Sequence, residues 1–364
     1  VKTEVLVVGG GPAGATTARL LAAGGREVVL LERDLNHRKP CGGGIPSGGL
    51  ADLGLSLDIP HKVVRELNIH FPSGRNIHIP LAGGDVKVVD RGIFDAWLRG
   101  LAEKDGAFLL EGNFLNLRED GRRIISEIEL NGEKHLVESD FLVAADGVNS
   151  RVRQVMGLEQ SDKIYTYSSR IMGRDVSACE FWFGSFHAPG FYSWVFPKEG
   201  ALSVGTGTLN PGEARVLFER FLRRAGFSPG DSQNARGFML PRWNDGPYRK
   251  GRIFFAGDAA GQVMPFTHEG IYYAMKAGEF VAEAISAGRP GLYRKLWKKR
   301  FHGRFRLMKK IESVFLMDDV QVEKLYSLFI RKDVQDISMR LWLRKEAGRR
   351  SLLSYLNIFR KYMS

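Results

Sequence analysis

The stretch GGGPAG, residues 9–14, sets glycines at 9, 11 and 14. That G-x-G-x-x-G spacing suits a backbone cradle for a pyrophosphate. Gly9 permits a tight turn, Gly11 lets the chain approach the ligand, and Gly14 lets helix and strand pack closely. Pro12 and Ala13 open a helix whose N–H groups and dipole face the phosphates. Glu32 ends the next apolar run, with Arg33 beside it. An acidic side chain there accepts both hydroxyls of a ribose. Two later stretches have the same build. FLVAAD (141–146) delivers Asp146 to Gly147, and RIFFAGD (252–258) delivers Gly257 and Asp258 to a run of small residues. Asp258 suits a hydrogen bond to a polyol, and Ala259, Ala260 and Gly261 leave room for a flat ring system. Each stretch alone also suits an ordinary strand-end turn; the three in this order are far more specific.

These residues need elements to position them. EVLVVGG (4–10) reads as a buried strand, residues 12–25 as a helix and EVVLLER (27–33) as a second strand, a β-α-β opening. Strands are expected at 67–71, 76–80 and 86–89, a helix over 92–106, and strands across 123–146 joined by a turn at Asn131–Gly132. Residues 163–208 alternate apolar and polar and read as a sheet, followed by a helix at 211–225. A buried strand at 252–258 and a long helix at 269–288 come next, and the chain reads as helical from 290. The nucleotide-type elements therefore open the chain and return twice. The expected fold is α/β. A Rossmann-like cofactor domain is assembled from discontinuous segments 1–65, 90–160 and 250–290. An inserted, antiparallel sheet-rich substrate domain takes 66–89 and 161–249, and a basic helical C-terminal region takes 291–364.

At 364 residues, the chain exceeds what one small core needs. Its 44% hydrophobic and 26% charged content place it among globular proteins. The two cysteines, Cys41 and Cys179, exclude a disulfide framework and a four-cysteine zinc site, and no metal site is expected. No secretory h-region and no run of about 18 apolar residues is evident, so the expected location is cytoplasmic. Residues 294–364 hold 19 Lys and Arg against 7 Asp and Glu, which accounts for the whole net charge of +12. Apolar and aromatic residues alternate with them. An anionic membrane surface on the cytoplasmic face is the partner this tail suits; the plainer reading is helices with solvated charged faces. Nucleic acid is not expected, because the basic excess lies outside the motif-bearing region.

With these motifs in this order, the chain resembles the FAD-dependent family related to p-hydroxybenzoate hydroxylase. The resemblance implies FAD as cofactor, Glu32 on the adenosine ribose and Asp258 on the ribitol. VDRGIFDAWL (89–98) is similar to the family segment that brings an arginine, here Arg91, near the flavin. More narrowly, KPCGGGIP (39–46), GFYSWVFP (190–197) and PFTHEGIYYAMKAGEFVAEAI (265–285) resemble geranylgeranyl reductases. That likeness implies saturation of C=C bonds in a geranylgeranyl or polyprenyl chain carried on a lipid, quinone or diphosphate. FAD would be reduced by an external donor, NAD(P)H or a ferredoxin-like carrier. His268–Glu269 depart from the small residues usual in that loop. A halogenase motif in the equivalent strand is close to YSWVFP, so a flavin monooxygenase or halogenase acting on an aromatic stands as the alternative. A non-catalytic flavoprotein is the third reading.

Under the reductase reading, the bare backbone at Gly42–Gly44 lies against the flavin ring and Cys41 at its edge. An isolated alkene accepts hydride poorly, so a proton must arrive with it. The Cys41 thiol and His268 are the candidate donors; Cys41 equally suits a small buried apolar residue, and His268 better suits a surface histidine or one that props the site. Tyr192, Trp194 and Phe196 share one face of a strand. They suit the wall of an isoprenoid tunnel, where π faces steady developing positive charge, or an ordinary sheet–core face. Gly270 and Ile271 begin a helix whose N–H groups face the flavin's pyrimidine edge, where negative charge collects on reduction.

Overall fold

In a computed structural model that describes residues 1–346, the strand Lys2–Val8 lies inside a parallel sheet. Val28–Glu32 pairs with it on one side and Glu133–Ala144 on the other, so that Val5 stands opposite both Val28 and Phe141. Phe108–Glu111 and Ile253–Phe255 extend the sheet, also in parallel. Val5, Leu6 and Val7 are fully buried, as an unbroken apolar strand with both faces covered must be. The long strand Glu133–Ala144 also pairs antiparallel with Arg123–Leu130 through the expected turn. Asn131 and Gly132 both take positive φ there, 51° and 84°, the conformation that tight hairpin turns select. The strand Asn113–Asp120, which the sequence did not disclose, extends this hairpin.

Residues 1–38, 92–162 and 240–303 cluster around that sheet. A second unit gathers 39–91, 163–239 and, among the described residues, 304–346. Its seven-stranded sheet runs in the order Arg236–Pro241, Lys163–Met172, Ala201–Thr208, Ser193–Lys198, Cys179–Trp182, Glu66–His70, Asn76–Pro80. The helix Ala214–Arg224 buries Phe218, Phe221 and Leu222 against Ile171, Val195, Leu202 and Val204, one face at helical spacing. The segment 39–65, drawn with the cofactor domain on sequence, clusters with this second unit. The reason is pairing: Gly44–Pro46 and His61–Val64 flank Val86–Val89 in a small antiparallel sheet. Glycine and proline hide the first of these strands from a propensity reading.

The basic tail is helical as far as it is described, through Leu292–Trp297, Gly303–Phe315, Asp319–Phe329 and Lys332–Ser338. Its aromatic residues point inward: Trp297, Phe301 and Phe305 are buried, while Lys299, Arg306, Lys309 and Lys310 are exposed. The alternation of basic and aromatic residues is thus a core-facing pattern with solvated charges between. The expected helix within 347–364 lies outside the described residues. Among the described residues no helix is long and apolar enough to cross a membrane.

One buried group makes stability depend on pH. His187 is 3% exposed, with Nδ1 2.9 Å from Ser193 Oγ. Burial, helped by Arg224 and opposed by Asp319, pushes its pKa down to about 4. The unfolded chain protonates the ring near 6.5. The stability it supports is therefore complete above that pH and is lost as pH falls toward 4, by about 1.4 kcal/mol per pH unit. Denaturant titrations at pH 7 and 5 should show His187→Asn losing less between the two than the parent. Equal losses would assign the acid sensitivity elsewhere.

Candidate functional site

In the first unit the three motifs interlock. Gly9 has φ 102°, and a Cβ there would overlap the Ala145 carbonyl; a Cβ at Gly14 would overlap the Gly9 carbonyl. Ala145 N–H donates to Val8 O at 2.8 Å, fixing the Asp146 strand against the first turn. Gly257, at φ 64°, would place a Cβ 3.0 Å from that of Ala13 and 3.3 Å from that of Ala274. The helix Ile271–Ser286 lies against Pro12–Ala23 so closely that a Cβ at Gly278 would sit 2.5 Å from Ala13 O. Asp258 Oδ1 lies 3.7 Å from the Cβ position of Gly270, which precedes Ile271 at that helix's start.

Gly11 is the exception that points to a ligand. Its φ is −73°, and a Cβ would meet nothing within 4 Å. Neither backbone conformation nor protein packing asks for glycine there, whereas close approach by a pyrophosphate does. No side chain caps the helix Pro12–Ala23, so its first-turn N–H groups serve an anion. Glu32 Oε2 accepts from Gly10 N–H at 2.6 Å and Oε1 from Asp34 N–H at 3.2 Å. A carboxylate has about four acceptor sites, which leaves capacity for two ribose hydroxyls. Arg33 is exposed at the strand end. These residues fit a dinucleotide such as FAD.

Three positioning groups escaped the sequence reading. Arg99, 5% exposed, donates to Leu35 O at 2.7 Å and Gly10 O at 3.4 Å, bracing the glycine loop. It was detectable: Arg91, Phe94, Asp95, Leu98, Arg99 and Ala102 form the buried stripe of the helix Arg91–Lys104, and charges rarely sit in such a stripe without purpose. Arg91 itself is buried and belongs to the second unit. Arg153, also buried, donates to Glu159 O at 2.9 Å and Ala259 O at 3.4 Å, tying the segment after Asp146 to the Asp258 loop. Gln262 accepts from Gly257 N–H at 2.8 Å and donates to Tyr293 Oη at 2.8 Å, which donates to Phe255 O at 2.9 Å. Asp146 is half-buried and accepts from Val152 N–H at 3.1 Å; burial raises its pKa, and hydrogen bonds from Ser150 and Val152 oppose the rise.

His268 sits in a strained loop. It and Phe266 take φ of 50° and 68°, unusual for residues with side chains. His268 N–H donates to Met264 O at 2.9 Å, and Met264 N–H to Glu269 O at 2.9 Å. Burial, with Arg242 nearby, pushes the imidazole down to about 3. At neutral pH the ring is uncharged. The general-acid role expected of His268 needs the imidazolium, which this environment disfavours.

In the second unit Cys41 is half-buried. Its Sγ accepts from Gly43 N–H at 3.3 Å and its carbonyl from Ser203 Oγ at 3.2 Å. Gly42 and Gly43 are bare for a reason that lies within the protein itself. A Cβ at Gly42 would lie 2.7 Å from the Phe196 ring, and one at Gly43, φ 79°, would overlap the Val89 carbonyl. Tyr192 and Trp194 are buried and Phe196 is half-buried. Phe181, opposite Trp194 in the sheet, joins them, with its ring centre 5.3 Å from Tyr192 and 5.1 Å from Phe196. Cross-strand pairing made it a member of the group, which sequence alternation within one strand does not reveal. Cys179 is core, and burial pushes its thiol pKa up. Among the described residues no cluster of His, Cys, Asp and Glu is fit to hold a metal ion.

The FAD binding domain family matches residues 2–287. The chain is 31% identical to the geranylgeranyl diphosphate reductase of Rhodobacter capsulatus, over 98% of this chain and 96% of that protein. It is 32% identical to digeranylgeranylglycerophospholipid reductase 2 of Methanopyrus kandleri, over 92% and 91%. Among solved structures, a geranylgeranyl bacteriochlorophyll reductase-like protein from Thermoplasma acidophilum superposes with a TM-score of 0.83 at 26% identity, covering 99% of this chain and 98% of that one.

Proposed function

Because the chain belongs to the geranylgeranyl reductase family of FAD-binding proteins, we propose that it saturates carbon–carbon double bonds of geranylgeranyl chains. The observation that carries the cofactor half of this reading is the interlocked glycine motifs with Gly11 left open. When bound, FAD supplies the hydride. The N-terminus of Pro12–Ala23 holds the pyrophosphate, Glu32 the adenosine ribose and Asp258 the ribitol, with Arg99, Arg153 and Gln262 keeping those groups in place. Gly270 and Ile271 present helix N–H groups to the pyrimidine edge. Cys41 provides the proton, and Tyr192, Phe196 and Phe181 offer an apolar, aromatic surface to the polyprenyl chain. The carrier is a lipid or a diphosphate, the two chemistries in the relatives' names. The electron donor is external, a nicotinamide or a ferredoxin-like protein, since no second G-x-G-x-x-G segment stands in the sequence.

The test is anaerobic. The flavin is reduced with dithionite, and geranylgeranyl diphosphate or a geranylgeranyl glycerolipid is added. Reoxidation coupled to a mass gain of two hydrogens per bond is expected. A flavin that stays reduced with both substrates, or product formation that requires oxygen, would refute the reading.

A lipid substrate also favours docking at an anionic membrane through the exposed basic residues after 293, among them Arg294, Lys295, Lys299, Arg306, Lys309 and Lys310. With the aromatics buried, that attraction is mainly electrostatic. Flotation with phosphatidylserine vesicles should succeed near 0.01 M salt and fail near 1 M, where screening acts over about 3 Å. Binding indifferent to salt would count against it.

A further inference from the structure

A buried lysine stands next to Cys41. Lys198 ends the strand Ser193–Lys198 and is 8% exposed. Lysine is seldom buried this deeply unless its charge has an answer. Its Nζ donates to Val89 O at 3.0 Å and lies 3.1 Å from the Cβ position of Gly43. Gly43 in turn donates its N–H to Cys41 Sγ at 3.3 Å and accepts from Val89 N–H at 3.0 Å. One glycine therefore lies against both ammonium and thiol, and a Cβ on it would crowd the ammonium.

Several charged groups surround this point. Asp90, at the end of the strand that carries Val89, is joined to Arg170 at 2.6 Å. Arg91 begins the following helix and is buried. Arg170, Arg91 and Asp90 thus lie close enough to Lys198 to act on its charge. Burial lowers the pKa of Lys198, and Arg170 and Arg91 lower it further; Cys41 and then Asp90 oppose this. Of the two groups that favour the ammonium, Cys41 acts more strongly than Asp90.

We propose that Lys198 is the charge partner of Cys41, its ammonium stabilising the thiolate left when the thiol gives up its proton. The consequence for catalysis rests on the reductase reading. The alkene gains a hydride at one carbon and a proton at the other. The Cys41 S–H bond breaks as the second C–H bond forms, and the thiolate is reprotonated from water. Lys198 makes the thiol a competent acid near neutral pH by holding the anion it leaves.

Alkylation reads this without any turnover. The flavin-loaded enzyme is treated with iodoacetamide from pH 5 to 10, and Cys41 modification is followed by peptide mass spectrometry. Cys179 stays silent, because it is buried and its thiol is pushed up. Lys198→Met should raise the pH midpoint of Cys41 alkylation by about one unit or more, and Lys198→Arg should keep it within about half a unit. An unchanged midpoint in Lys198→Met would overturn the proposal. So would an equal shift in Lys198→Arg, which would mark packing rather than charge. Should Lys198→Met fail to fold, Asp90→Asn carries the test. Removing that carboxylate should lower the midpoint; an unchanged or raised midpoint overturns the pairing. Alkylation shifts without alkene reduction would sink only the reductase reading, and reduction without shifts only the role of Lys198.

Discussion

Gly11→Ala should give a protein of near-parental stability that holds its flavin weakly, whereas Gly14→Ala should lose stability as well as flavin affinity. The two substitutions add the same methyl group three residues apart. At Gly14 the Cβ would overlap the Gly9 carbonyl, so the strand–helix turn must shift. A helix-interior alanine gains about 1 kcal/mol over glycine in propensity, but forced movement of close-packed backbone costs roughly 1–3 kcal/mol or more. It also dislodges Gly9, whose own position is set by Ala145. At Gly11 nothing lies within 4 Å and φ is −73°, so alanine is tolerated by the protein itself. The loss of glycine at a helix N-cap costs less than about 1 kcal/mol. Thermal unfolding of the flavin-free forms should therefore show Gly11→Ala within a few degrees of the parent and Gly14→Ala far below it. Flavin titration should show Gly11→Ala weakened by about 10–100-fold, or about 1.4–2.7 kcal/mol. Parental flavin affinity in Gly11→Ala would mean that the open face of the turn is not where the pyrophosphate lies.

This contrast marks how far the sequence could be read. Motif order predicted that residues 9–14, 146 and 257–258 would meet, because each stands at the end of an unbroken apolar strand and parallel strands bring such ends to one edge. Spacing alone could not separate glycines kept for packing from the one kept for a ligand, since that distinction depends on what a Cβ would touch. The same limit explains Gly42 and Gly43, whose bareness answers Phe196 and Val89, residues distant in sequence. Arg99 carried a usable signal, a charge on the buried stripe of a helix. Lys198 carried none, because the strand around it is largely buried and its neighbours arrive from three other elements. The desolvation of His268 inside its strained loop, which disfavours the imidazolium, is likewise an effect no motif encodes.

That desolvation separates the two candidate proton donors, and the second large effect follows from it. Cys41→Ala should slow alkene reduction by about 10²–10⁴-fold, the usual worth of a positioned acid. His268→Gln should cost far less, because a ring that is neutral at neutral pH gives up no proton it can spare. At Cys41, Sγ already accepts an N–H from Gly43, a contact that strengthens when the sulfur becomes an anion. The flavin-holding residues named above all lie in other segments, so Cys41→Ala should bind FAD with parental affinity. Single-turnover mixing of dithionite-reduced enzyme with a geranylgeranyl substrate separates the chemical step from flavin loading. If Cys41→Ala keeps the parental single-turnover rate, the proton comes from another group. If its rate falls only in step with flavin content, the thiol is a structural neighbour of the cofactor. A loss confined to the chemical step leaves the thiol as the acid, since alanine fills nearly the same space without a proton to give.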